Sequence, residues 1–268
     1  MTFSVSPLEG TEEFRSLNSL VNQSDVSVPD TIQSIINLSL STTSSTAGHS
    51  DALELHCERL FESVIDVASR TPIPQQVKLV DFLIQLQKLN VIDPVTGKPL
   101  ECDGRKIWAD LPRIGMSFRE AWNFDPQDTN ATPEDKAGWE NKTAFLAQVT
   151  ALSPIGNPSE ITTSLNCSLY ALWAMRSAFE GTTPADTTLR AACLWIIYAG
   201  DRLLMNVENE LTFEANLGIP GGSYKKKEWR GFNKERMEVW KNGFKAAQTR
   251  HEGETRSMID RALAKIDG

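Results

Sequence analysis

From residue 51 onward the apolar residues recur at intervals of three and four. Leu53, Cys57, Leu60, Phe61, Val64, Ile65 and Ala68 trace one stripe through 51–69; Val77, Leu79, Val80, Leu83, Leu86 and Leu89 trace another through 75–90. That spacing follows the turn of an α-helix and leaves each segment with one apolar side. The same pattern predicts helices near 30–40, 50–70, 74–90, 114–123, 133–152, 164–180, 184–216 and 233–265. The seventh is long for one unbroken globular helix, and Gly200 offers a place for a bend or close packing. No alternating run is long enough for a buried sheet. The predicted fold class is all-α, a single multi-helix bundle or array with long loops and no substantial sheet.

Helix ends carry their own signals. "DTIQ" (30–33) and "DALE" (51–54) have the form of a capping box, a short polar residue followed three positions on by Gln or Glu. "TPED" (132–135) and "TPAD" (183–186) share a second signature, in which Thr caps, Pro takes the first helical position and an acid enters the first turn. Gly181 suits a helix C-terminus. "SLSTTSSTAGHS" (39–50) reads as a low-complexity, mobile linker. The expected organisation is therefore a 1–50 segment, with one short helix and partial disorder, ahead of a single helical domain over 51–268. Loops at 91–113 and 218–232 hold most of the remaining Gly and Pro, a length that accompanies either function or disorder.

Composition narrows the class. A 268-residue chain with 40% hydrophobic residues can bury a core without covalent staples. Cys57, Cys102, Cys167 and Cys193 show no paired spacing, and three fall in amphipathic segments, so buried free thiols are expected rather than a disulfide framework. The start, "MTFSVSPLEGTEEF", has neither a basic end nor an apolar run, and no apolar stretch approaches the roughly 20 residues that span a bilayer. A cytoplasmic location without membrane contact is the expectation. Net charge is −8, yet residues 218–268 hold 12 Lys/Arg against 7 Asp/Glu. The acidic remainder argues against nucleic-acid binding. The basic end could complement the acidic body of the same chain or, in a homo-oligomer, of a second copy.

Five ordered blocks add a resemblance: "IWADLPRIGMSFREAWN" (107–123), "GWENKTAFLAQVTAL" (138–152), "SLYALWAMRSAFE" (168–180), "AACLWIIYAGDRLL" (191–204) and "KKKEWRGFNKERMEVWKNGF" (225–244). Together they resemble the fungal family known as domain of unknown function 3632, over roughly 107–244. The resemblance implies a fungal, mostly helical, intracellular protein and assigns no reaction. Arg119, Trp122, Asn123, Trp139, Asn141, Phe145, Trp173, Arg176, Glu180, Tyr198, Gly200, Arg236 and Trp240 fit its pattern. Met237 and the polar middle of "WENKTAF" depart from it.

The candidate chemistry centres on "SLYALWAMRSAFEG" (168–181). Trp173, Arg176 and Glu180 share one helix face, and Arg176 and Glu180, four apart, are spaced to pair beside the indole. A lone buried charge is very costly, so a partner is expected. The grammar recurs in Arg119 with Trp122, in Trp195 and Tyr198 with Arg202, and in Arg236 with Trp240. Converging faces would make either helix-to-helix ties or an aromatic-walled pocket for a planar or anionic small molecule, with Arg119, Trp122, Trp173, Tyr198, Arg236 and Trp240 as ligand contacts, so the first reading is a small-molecule-binding or protein-interaction module. The alternative is a cofactor-independent isomerase or cyclase acting on a fungal metabolite. Glu180 would then be its acid or base, Arg176 and Arg119 would hold charge, and Trp173, Trp122 and Tyr198 would form the wall.

Other chemistries find little purchase. His49, His56 and His251 show no ligand spacing, with His49 in the linker and the other two expected on solvated faces, so neither a metal nor another cofactor is expected. A Ser-His-Asp arrangement lacks histidines and any G-x-S-x-G elbow. "NVENELTFE" (206–214) lacks the acid and hydroxyl of a magnesium-diphosphate motif and reads as a solvated acidic face. "YKKKEWRG" (224–231) is either a solvated run or a grip for phosphate, anionic lipid or an acidic surface.

Overall fold

The apolar stripes do become helices. The computed structural model describes residues 7–43, 49–125, 128–154, 164–214 and 216–268. Among them run ten α-helices: α1 (Glu12–Asn22), α2 (Val28–Thr43), α3 (His49–Arg70), α4 (Val77–Leu86), α5 (Ile114–Ala121), α6 (Pro133–Leu152), α7 (Ser168–Phe179), α8 (Asp186–Glu208), α9 (Lys234–Gln248) and α10 (Gly253–Asp267). A small antiparallel hairpin, β1 (Glu101–Cys102) and β2 (Arg105–Lys106), is the one sheet among the described residues. Asp103 and Gly104 close it with φ of +53° and +70°, the left-handed pair that Asp-Gly favours in hairpins. The fold is all-α, as the periodicity predicts. Among the described residues no helix is long and apolar enough to cross a membrane.

The chain divides into two compact units, Met1–Asn123 and Phe124–Gly268, rather than at the low-complexity stretch near residue 50. The reason is packing before residue 50. Thr11 accepts a hydrogen bond from the Phe14 amide at 3.2 Å and so starts α1, a helix the periodicity missed. Its Phe14, Leu17 and Leu20 enter a core with Ile35 of α2, Leu60, Phe61 and Val64 of α3, and Phe82 and Leu83 of α4. Within this first unit α1, α2 and α5 all pack on α3. The "DTIQ" and "DALE" signals are displaced, because α2 begins earlier, with Ser27 Oγ accepting from the Asp30 amide, and α3 begins at His49. Residues 44–48 of the supposed linker lie outside the described residues.

In the second unit α8 is the axis, with α6, α7 and α10 packed around it. Its small residues Ala191, Ala192, Ala199 and Gly200 are buried. At Gly200 an added Cβ would lie 2.7 Å from Lys265 Cγ of α10, so this glycine answers to close packing and not to a bend. "TPED" works as read: Thr132 Oγ1 accepts from the Asp135 amide at 3.1 Å, and Asp135 accepts from the Thr132 amide at 3.0 Å. "TPAD" does not, since α8 begins at Asp186 with Ala185 in the capping place. The predicted 233–265 helix is two helices, with Gly253 at φ +59° where α10 begins.

Candidate functional site

Glu180 stands one residue past the end of α7, at φ −115° and ψ 13°. That departure from helical backbone swings its carboxylate away from Arg176, so the expected i, i+4 pair does not form. Glu180 pairs instead with Arg236. Asn233 caps α9 by accepting from the Arg236 amide at 2.8 Å, and this sets Arg236 in the first turn with Trp240 one turn on. Arg236 Nε donates to Glu180 Oε1 at 2.7 Å and Nη2 donates to Oε2 at 3.0 Å, a two-pronged ion pair. Trp240 Nε1 adds a bond to Oε1 at 2.7 Å, and the Gly221 amide adds one to Oε2 at 2.7 Å.

The other guanidinium hydrogens go to the loop between α8 and α9. Arg236 Nη1 donates to the carbonyls of Gly218 and Gly231 at 2.8 and 2.9 Å, and Nη2 to Ile219 at 3.1 Å. All five donors of the fork are thus used. The indoles of Trp229 and Trp240 lie 5.4 and 5.5 Å from its central carbon as cation–π partners. Glu180 and Arg236 are both 0% exposed. Two glycines permit the approach: a Cβ on Gly221 would sit 2.6 Å from that of Glu180, and one on Gly231 would sit 1.9 Å from the Leu211 carbonyl. Satisfied on every side and shut from solvent, this cluster is a tie between α7, α9 and the loop.

Arg176 is different. Half-buried on α7, it donates through Nη1 to the carbonyls of Leu217 and Ile219 at 3.4 and 3.2 Å. It makes no ion pair among the described residues, and its Nε and Nη2 have no hydrogen-bond partner there. Burial, and then the Arg236 charge, push its guanidinium below the usual arginine range, while Glu180 pulls the other way. Trp173 Nε1 donates to the same Leu217 carbonyl at 2.9 Å, so indole and guanidinium tips converge. Tyr170 meets Trp173 edge-on at 5.5 Å, and Leu217 is 42% exposed. The result is a ledge: an aromatic wall, an apolar lip and a cation with donors to spare.

The Glu180 cluster is built from the second unit alone, whereas Arg119, exposed, and Trp122, half-buried, belong to α5 and its end in the first. Tyr198 is half-buried on α8; its neighbour Trp195 is buried, and Arg202 donates to the Ser153 carbonyl at the end of α6. Asn206 faces inward, donating to Ser168 Oγ at 2.9 Å, while Glu210 is exposed beyond α8, so "NVENELTFE" is no single face. In "YKKKEWRG" Lys225 and Lys226 are exposed, Lys227 pairs with Glu235, and Tyr224 stacks on Trp229. Lys241 and Lys265 pair with Asp267 and Asp201, so much of the basic end finds carboxylates within its own unit.

His56 corrects an expectation. Its place between Leu53 and Leu60 puts it in the apolar stripe of α3, and it is 3% exposed. Its Nδ1 lies 2.7 Å from Glu13 Oε1 and its Nε2 lies 3.2 Å from Ser39 Oγ. Hydroxyl, imidazole and carboxylate stand in line, but Ser39 is 0% exposed and donates to the Ile35 carbonyl at 2.7 Å. The row ties α1, α2 and α3 together and presents no nucleophile to solvent. His251, half-buried, bonds the Ala247 carbonyl at 2.9 Å and meets Asp186 at 3.2 Å. Two clefts of about 410 and 420 Å³ beside α1 and α2 are lined by residues such as Ser16 and Ser34, and by none of the predicted site residues. Among the described residues no group of three or more His, Cys, Asp or Glu is placed to hold a metal ion.

Sequence reasoning missed Tyr170, Leu217, Gly221 and Trp229. The first lay in plain view three residues before Trp173; the others sit in a loop whose path no periodicity encodes. No curated protein matches this chain, and no solved structure does. A family model described as "Protein of unknown function (DUF3632)" matches residues 61–244, from within α3 to α9. That match takes in the Glu180–Arg236–Trp240 tie and the Trp173–Arg176 ledge, and the chain belongs to this family.

Proposed function

We propose that this chain is a small-molecule-binding protein whose second unit takes a flat, anionic ligand on the Trp173–Arg176 ledge. One observation carries the reading: Arg176 is a half-buried cation that, among the described residues, has no ion-pair partner and two donor nitrogens without a hydrogen bond. A guanidinium fork recognises a carboxylate through paired hydrogen bonds, and an indole face beside it suits a planar body. The competing isomerase or cyclase reading needs an acid or base that a substrate can reach. Glu180 has no exposed surface and accepts four hydrogen bonds, so support moves to binding.

The test is calorimetric titration with 2-naphthoate, an aromatic carboxylate probe, and with its neutral amide. The carboxylate should bind more tightly than the amide, and Arg176→Met should lose roughly tenfold or more, the scale of one charged hydrogen bond. Equal affinity for wild type and a folded Arg176→Met would sink the proposal.

A further inference from the structure

Two arginines grip the loop between α8 and α9 in the same way. Arg236 gives Nη1 and Nη2 to the carbonyls of Gly218, Gly231 and Ile219, and gives Nε and Nη2 to the Glu180 carboxylate. Arg176 gives Nη1 to the carbonyls of Leu217 and Ile219 and, among the described residues, leaves Nε and Nη2 without a hydrogen bond. The nitrogens left over on Arg176 are the two that Arg236 spends on its carboxylate. The Ile219 carbonyl even serves both, at 3.2 Å from Arg176 and 3.1 Å from Arg236. Arg176 thus repeats the Arg236 arrangement with the acid left out. Its pose is held by neighbours: Trp173 Nε1, one turn earlier on α7, donates to the Leu217 carbonyl at 2.9 Å. The loop behind has no slack, since a Cβ on Gly218 would sit 1.9 Å from the Arg230 carbonyl.

Resting on the ledge reading above, we propose that the ligand's charged group is a carboxylate, taken side-on by Arg176 Nε and Nη2, and that Trp173 is a positioning residue acting through the Leu217 carbonyl. The Nε–Nη2 edge presents two parallel N–H bonds, which match the two coplanar oxygens of a carboxylate. A sulfonate spreads one charge over three weaker acceptors on a tetrahedral head. A phosphate monoester carries close to two charges near neutral pH, more than one guanidinium balances. The indole N–H sets the direction of that edge: it fixes the Leu217 carbonyl, which takes Nη1 and leaves Nε and Nη2 for the ligand. The buried Glu180–Arg236 tie supports the same pose from behind, through Ile219.

The experiment titrates the full chain with 2-naphthoate, 2-naphthalenesulfonate and 2-naphthyl phosphate, three anions on one flat ring, by calorimetry and by NMR of the arginine Nε–H signals. The Arg176 signal is assigned by its loss in Arg176→Met. Naphthoate should bind roughly tenfold or more tightly than the other two, the scale of one charged hydrogen bond. It should also move the Arg176 Nε–H signal toward that of Arg236, which already faces a carboxylate. Trp173→Phe keeps a ring and loses the N–H, so its preference for naphthoate over the neutral amide should shrink while its affinity for the amide holds; a merely structural loss would lower both. In the wild type, naphthoate should slow hydrogen exchange at the Trp173 indole N–H, because the coupling is reciprocal. Equal affinity for the three anions, or naphthoate binding with the Arg176 signal unmoved, overturns the carboxylate assignment and leaves the ledge as an anion site. A full preference in Trp173→Phe, or unchanged indole exchange in the wild type, overturns the positioning role. Failure of all three anions to bind removes the ledge reading and this inference with it.

Discussion

A carboxylate and a guanidinium with no exposed surface must complete each other, because either alone would leave a desolvated charge. Glu180 and Arg236 do so with the help of Trp240 and four loop residues. The sequence pointed to the right residues, Glu180, Arg236 and Trp240, and to the wrong marriage. Spacing along one helix is visible in a string of letters; a partner from a helix more than fifty positions away is not. Glu180→Gln keeps the shape and strands the arginine, so it should cost about 3–5 kcal/mol, as should Arg236→Met. In urea unfolding the double variant should lose clearly less than the two singles together. Additive losses would mean that the two side chains are not each other's partners.

Two helix starts that look alike in the sequence behave differently in the fold. Thr132 caps α6 with both reciprocal bonds, whereas Thr183 is exposed and lies outside the start of α8. Thr132→Ala should therefore cost roughly 1 kcal/mol, and Thr183→Ala should stay within about 0.5 kcal/mol. Paired thermal melts would read the difference, and equal effects would count against the cap. The comparison also shows what was legible at this scale. Helix existence follows from the apolar stripes, so α2 to α8 were foreseen. Their ends depend on which of several neighbouring polar residues wins the cap, and on left-handed residues such as Gly253 that split one apparent helix into two.

Across the whole molecule the acidic excess is only partly a solvated coat. Glu13, Asp135, Glu235, Glu254, Asp260 and Asp267 all have carboxyl groups held below their usual range. For Glu13 burial acts upward and is outweighed only jointly, by the hydrogen bond from His56, a backbone hydrogen bond and the charges of His56 and Arg59; for Asp135 the Thr132 amide is the main cause. A carboxylate with a depressed folded value stabilises the fold fully above its unfolded value, and that stabilisation is lost as pH falls through the folded one. Glu62, raised by burial and by Glu58, opposes them. The urea midpoint should accordingly fall on acidification below the ordinary carboxylate range, and a rise there would contradict the sign. The division at residue 123 was harder to foresee than the charge. A Ser/Thr-rich run looks like a boundary, but α1 and α2 already belong to the first core, and the break falls between Asn123 and Phe124. The long loop between α8 and α9 has the opposite lesson. Its carbonyls complete the donor set of Arg236, so swinging it outward would strip a cation that water cannot reach. A protease should find no early cleavage point there, and the Gly221 amide should exchange its hydrogen only when the second unit comes apart as a whole.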